Sequence, residues 1–267
     1  MLFLLSPAKS LDWSPAPGAA EATAPELLGD AGVLMRRAKR LSVEQLRSLM
    51  HISEDLATLN RERFQVITPT PDAEGDRPAA LAFNGDVYRG LDARSLNDED
   101  LAWAQAHVGI LSGLYGVLRP MDLIQPYRLE MGTRLETQRG KNLYAFWDDR
   151  VTKVVNQRVQ DSGDPVVVNL ASNEYFRVVK KKKLHGRLVT PVFKEELPDG
   201  KVKVISFFAK WARGAMVRWA IERKIETVDE LVGFDAGGYR HRPDLSDGDT
   251  WVFTRPKPPP ANSRAAR

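Results

Sequence analysis

Arg128 and Glu130 stand two residues apart in Pro126-Tyr127-Arg128-Leu129-Glu130-Met131-Gly132, where charged and apolar groups alternate. On a strand such a pair shares one face. A carboxylate beside a guanidinium is either a plain ion pair or a base whose pKa its neighbour sets. A second carboxylate, Glu174, lies in Asn169-Leu170-Ala171-Ser172-Asn173-Glu174-Tyr175. That segment leaves an apolar run and is expected to enter a helix, with Ser172 as N-cap and Glu174 and Tyr175 in the first turn. Free amides at such a start hold anions; taken alone, the segment is only a cap. Ser6-Pro7-Ala8-Lys9 follows the apolar run Leu2–Leu5. The end of a central strand is where α/β proteins place ligand groups. Lys9 could meet a phosphate there, and Ser6 could donate a hydrogen bond. The segment has no glycine-rich loop and is not a P-loop; by itself it is a strand end with a surface lysine.

Charge is unevenly spread. The formal net charge is +4, yet Arg177 to Lys224 alone carries 14 Lys+Arg against 4 Asp+Glu, so the rest of the chain is net acidic. A field that lopsided favours a polyanion or a phosphorylated ligand, or else marks a solvated basic face. Within it, Lys180, Lys181, Lys182 and Lys183 are consecutive and cannot all share one face. They suit non-specific phosphate contact or a solvated loop. Lys210 and Arg213 are three apart on an expected helix, with Lys224 on the same side. Gly214 sits mid-helix, where glycine costs about 1 kcal/mol relative to alanine. A close backbone approach, to another helix or a ligand, would explain it. Trp211 and Trp219 read as core or interface.

Met50-His51-Ile52-Ser53 joins two expected helices by a very short turn, and Leu56, Ala57, Arg61 and Arg63 continue with the phasing of a helix-hairpin-helix. In that motif the hairpin amides and the second helix's N-terminus grip a DNA phosphate without reading sequence. His51 and Ser53 occupy positions that glycine usually fills, and Glu54 and Asp55 would repel a phosphate. A plain helical hairpin is the alternative. Leu111-Ser112-Gly113-Leu114-Tyr115-Gly116 is a second, weaker hairpin candidate, though Pro120 and Pro126 leave little room for a following helix.

Other chemistries are excluded or unsupported. The 267-residue chain has no cysteine, which rules out disulfides, a thiolate nucleophile and thiolate-ligated metals. Its four histidines are scattered. No metal and no cofactor is expected. There is no HExxH, GxSxG or kinase motif set. The apolar runs are far too short to cross a bilayer, and the first residues do not read as a signal peptide. A cytoplasmic location without membrane contact is expected.

These groups must be carried by strands interleaved with helices. Leu2–Leu5 and 165–170 read as buried strands. Helices are expected over 25–40, after Ser42 (a capping box with Gln45), after Ser53 (Leu56, Leu59 and Phe64 on one face), from Asn97 to His107, over 142–160 and over 209–224. Pro198-Asp199-Gly200 reads as a hairpin turn between 188–193 and 202–208, and Trp251–Phe253 as a last strand. The class is mixed α/β (α+β), one domain over 1–255 with a proline-rich disordered tail over 256–267.

The segments resemble the YaaA family of bacterial peroxide-stress-resistance proteins. The residues that carry the resemblance are Ser-Pro-Ala-Lys at 6–9, Phe-Asn-Gly-Asp-Val-Tyr at 83–88 and the 22-residue block LSGLYGVLRPMDLIQPYRLEMG at 111–132. They continue with Asn-Leu-Ala-Ser-Asn-Glu-Tyr-Phe at 169–176 and Ala-Lys-Trp-Ala-Arg-Gly at 209–214. The resemblance implies a compact single domain of the "cantaloupe" type, with a helix-hairpin-helix and a positively charged cleft. It also implies double-stranded DNA binding without strong sequence preference, and a role in limiting free iron during peroxide stress. By position, the hairpin carries over to His51, Ile52 and Ser53. The cleft carries over to Lys9, Arg128, Lys210 and Arg213, with Lys180 to Lys183 nearby.

Two function classes follow. One is a DNA-binding stress protein, expected to be a monomer. The other is an enzyme of undescribed type acting on a phosphate- or carboxylate-bearing small molecule. Ser6, Asn169 and Ser172 would line its polar cleft, Glu130 or Glu174 would be the base, and Lys9 and Arg213 the anion clamp. Direct iron storage is a poor reading, because thiols and a Glu-x-x-His pair are absent.

Overall fold

The computed structural model describes residues 1–15, 21–72, 74–161 and 165–258. Leu2–Leu5 is apolar at every position because both its faces are covered, and all four side chains are fully buried. It pairs in parallel with Val108–Ser112 on one side and with Val166–Asn169 on the other, Phe3 lying opposite Val108 and Val168. Arg187–Glu196 continues the parallel set next to Val166–Asn169, followed by Thr250–Pro256. Antiparallel strands Gly116–Leu118 and Arg240–His241 close the two edges. Arg187–Glu196 alternates buried and partly exposed positions, the mark of a strand covered more fully on one face.

The chain leaves Leu2–Leu5 for Val108–Ser112 and only later fills the opposite side with Val166–Asn169. The carboxyl end of Leu2–Leu5 is therefore a switch point in the sheet, where connections diverge and leave a crevice.

Helix starts follow local chemistry. Ser42 and Gln45 form the capping box of Val43–Met50, Ser53 caps Glu54–Val66, and Asn97 caps Asp98–His107. Gly214 answers to a close approach: helix Ser206–Arg223 crosses the short helix Asp86–Leu91, and a Cβ on Gly214 would overlap the Val87 carbonyl oxygen. Gly90, on the other helix, meets the Trp211 carbonyl in the same way.

Several sequence expectations are corrected. Leu111–Gly116 is no helical hairpin; it is the β-turn region between strands Val108–Ser112 and Gly116–Leu118. The helix expected over 142–160 is two helices, Leu143–Trp147 and Arg150–Asp161, because Asp148 takes a left-handed φ of 42° between them. The buried face of Glu54–Val66 is Ala57, Asn60 and Phe64, whereas Leu56 and Leu59 are exposed. The second arm of the Asp199-Gly200 hairpin is only Val202–Lys203, since the helix already begins at Ser206. Residues 126–131 form no strand. The expected tail falls from residue 259 onward outside the described residues. Among the described residues no helix is long and apolar enough to cross a membrane.

Candidate anion-binding site

Ser6 follows the last residue of the central strand, and its hydroxyl accepts the Ser172 N–H at 2.8 Å. Ser172 does occupy the N-cap position of Asn173–Phe176, but its own hydroxyl makes no cap; it lies 3.4 Å from Ser6 Oγ instead. The four-residue helix is too short to present an anion site of its own. Tyr88 reaches over from Asp86–Leu91 and donates its hydroxyl to the Ser6 carbonyl at 3.0 Å. Burial pushes the Tyr88 hydroxyl well up, so it remains a donor. The Asn169 carboxamide oxygen accepts the Ala171 N–H at 3.1 Å, which makes it a turn residue at the strand end.

Arg128 and Glu130 pair although they are not on a strand. The Glu130 carboxylate is held at both oxygens, by Arg128 at 3.0 Å and by Lys9 at 3.0 Å. Lys9 is largely exposed, while Arg128 is mostly covered and its Nε is buried without an acceptor. Glu174 accepts the Gly132 N–H at 2.9 Å, and Tyr144 donates to the Glu174 carbonyl at 2.8 Å. The 127–132 segment is pinned from below by the Ser112–Tyr127 hydroxyl bond of 2.6 Å and by Gly113, where a Cβ would strike the Leu129 carbonyl.

Glu130, Gly132 and Glu174 open into a recess of ≈ 560 Å³ whose far wall is Ser48 to His51 and whose floor continues through Thr133 and Arg134. The helical hairpin and both carboxylates thus share one hollow. His51 adopts φ 52°, ψ 51°, the left-handed conformation that glycine takes most easily. Ser53 accepts the Leu56 N–H, leaving the Glu54 and Asp55 amides at the helix end without an intrahelical partner. The Glu54 carboxylate stands 3.8 Å from Arg47.

The other predicted cations lie elsewhere. Lys180 pairs with Asp148 at 3.3 Å, and Lys183 pairs with Asp149. The Lys180 N–H and the Lys183 carbonyl bind Thr152 and Asn156 of helix Arg150–Asp161. Lys181 and Lys182 are exposed, and none of the four lines the recess. Lys210 is exposed on Ser206–Arg223. Arg213 is partly buried there with no carboxylate partner among the described residues, and burial pushes its guanidinium pKa down. Lys224, expected beside them, pairs with Asp100 instead. Among the described residues no group of three or more His, Asp or Glu could hold a metal ion.

Sequence reasoning missed Tyr88, Ser48, Thr133, Arg134 and Tyr144. Tyr88 had a signal, since it ends the 83–88 segment; the others had none, because their partners are remote in sequence.

A family model described as peroxide stress protein YaaA matches residues 1–245. The chain belongs to that family. Relatives are full-length matches. A UPF0246 protein of Roseobacter denitrificans is 52% identical over 259 residues, covering 97% of this chain and 99% of that protein. One from Maricaulis maris is 49% identical over 266 residues, covering 100% of both. One from Saccharophagus degradans is 52% identical over 255 residues, covering 96% of this chain and 99% of that protein. Membership of the YaaA family supports a general role in peroxide stress.

Proposed function

We propose that this protein acts in peroxide stress by binding double-stranded DNA through its phosphates, without reading sequence. The observation that carries the reading is the hairpin: His51, on the wall of the hollow, closes the turn in the conformation glycine would supply, and the following helix opens with amides that have no intrahelical partner. The pairing of Arg47 with Glu54 reduces the repulsion that Glu54 would otherwise exert on a phosphate. On this reading His51, Ile52 and Ser53 touch one phosphate. Lys9, Arg128, Lys210 and Arg213, with the Lys180 to Lys183 run, supply positive potential to the backbone beyond. Protection would be completed by limiting free iron in the same cell, since less iron means less hydroxyl radical from peroxide. The test is fluorescence anisotropy with unrelated duplexes across a salt series. Similar affinities that fall steeply with salt support the reading; salt-independent binding, or none, overturns it.

A second reading is favoured by one specific feature. The Glu130 carboxylate lies between Lys9, three residues beyond Ser6 at the end of the central strand, and Arg128. A carboxylate flanked by two cations, with a second carboxylate, Glu174, on the same recess, suits an enzyme acting on a phosphate- or carboxylate-bearing small molecule, with Glu130 or Glu174 as base. Thermal-shift screening against such molecules checks it: a stabilisation lost in Glu130→Gln supports it, and no stabilisation by any anion counts against it.

A further inference from the structure

We infer that the backbone path of bound DNA runs along an arginine-lined groove between helix Leu28–Lys39 and the 133–139 segment, ending at the hairpin. The inference rests on the DNA-binding reading above and adds phosphate contacts from residues outside the basic 177–224 stretch.

Three recesses join end to end. The first, ≈ 330 Å³, is lined by Arg36, Arg37, Arg40 and Arg139 and by no acidic residue. The second, ≈ 460 Å³, shares Arg37 and adds Arg134. The third is the ≈ 560 Å³ hollow already described, which shares Arg134 and Ser48 and reaches His51. The groove thus leads from four guanidinium groups to the hairpin turn at His51.

What distinguishes these cations is that their charge is not spent within the protein. The side chains of Arg36, Arg40 and Arg134 are exposed and have no ion pair or hydrogen bond among the described residues. Arg37 is bound only to a backbone oxygen, the Glu136 carbonyl at 3.0 Å, which leaves its charge uncancelled. Arg139 is the exception, since it pairs with Asp30. By contrast Lys9, Arg128, Lys180 and Lys183 each face a carboxylate. The acids on the groove are Glu44 and Glu136 in its middle and Glu130 and Glu174 at the hairpin end. Planar guanidinium forks match phosphate oxygens in pairs. No Phe, Tyr or Trp lines any of the three recesses. Single-strand binders stack bases on such rings, so the groove favours the outer face of a duplex.

The experiment is duplex anisotropy against salt for the wild-type protein, for Arg36→Gln/Arg40→Gln/Arg134→Gln, and for the same three positions changed to Lys. Three lost phosphate contacts, at about 0.9 each, should reduce the slope of log affinity against log salt by about 2.7, so the Gln variant should lose about 40-fold less affinity than wild type between 50 and 200 mM salt. The Lys variant should keep a slope near that of wild type. Because all three side chains are exposed and unpartnered, thermal melting of both variants should match wild type, which separates lost contact from lost fold. Wild-type binding with an unchanged slope in a folded Gln variant overturns the groove and leaves the DNA reading intact. Failure of the wild-type protein to bind any duplex overturns both.

Discussion

Gly90 and Gly214 face one another across two helices so closely that neither position has room for a methyl group. This contact sets the short helix Asp86–Leu91 against Ser206–Arg223 and so aims Tyr88 at the Ser6 carbonyl. A packing constraint in one layer thereby positions the mouth of the crevice in another. Gly214→Ala is expected to destabilise the protein by about 1–3 kcal/mol through overpacking against backbone that cannot yield. Gly29, in the first turn of Leu28–Lys39 with nothing near its Cβ position, is the control. Gly29→Ala should be neutral or stabilising by up to about 1 kcal/mol. Thermal melts of both variants check the contrast, and equal effects would remove the packing argument.

Glu130 ties an exposed lysine and a covered arginine, with side-chain exposures of 63% for Lys9 and 17% for Arg128. The two bonds should therefore differ in weight. Lys9→Gln is expected to change stability by less than about 1 kcal/mol, as exposed pairs do. Glu130→Gln leaves the Arg128 guanidinium covered without its counter-charge and should cost about 1–3 kcal/mol. Urea denaturation measures both, and a Lys9 effect as large as that of Glu130 contradicts the assignment. On the DNA reading, Glu130→Gln should also tighten duplex binding, because a negative charge leaves the hollow.

Arg213 is desolvated by its surroundings, which lowers its pKa, and no carboxylate among the described residues offsets the loss. Such a group is retained at the expense of stability when it serves a ligand. Arg213→Met should raise Tm by about 2–4 °C, the equivalent of about 1 kcal/mol at this size, while weakening duplex binding. A variant that melts lower and binds DNA normally would show that Arg213 is a structural residue.

His107 stacks on Trp103 at 4.2 Å, lies 3.1 Å from the Met1 carbonyl and is held below its ordinary pKa of 6.5, chiefly by burial, with the N-terminal amine adding repulsion. His241 is lowered by burial as well. A histidine with a depressed folded pKa binds its proton more readily in the unfolded chain. Its stabilising contribution is complete above the unfolded value and is lost as pH falls through 6.5 toward the folded value. Stability should decline from pH 7 to pH 5, and His107→Gln should flatten part of that decline in a urea titration at each pH. An unchanged slope in the variant would mean that other groups control it.

Much of the scaffold was legible in the residues. An all-apolar run bounded by Ser6-Pro7 announces a strand covered on both faces, and Ser42 with Gln45 announces a helix start, because both signals act over a few residues. Gly214 announced its close contact through its intrinsic cost in a helix, although not the identity of the partner. The reading failed where competition was non-local. Asp148 interrupts what periodicity draws as one helix, and periodicity puts Leu56 and Leu59 on one face with Phe64, yet only Phe64 is buried.

The amino-acid order by itself determined the interleaving of strands and helices, the caps, the family resemblance and the presence of Arg128 beside Glu130. Only the tertiary structure decided which charges remain available. Lys9 meets Glu130 across more than a hundred residues, Lys183 is neutralised by Asp149, and among the described residues Arg36, Arg40 and Arg134 are left without an ion pair along one groove. Whether a cation is cancelled depends on a separation of a few ångströms to a carboxylate, and that distance is set by how remote segments pack, which local periodicity does not encode.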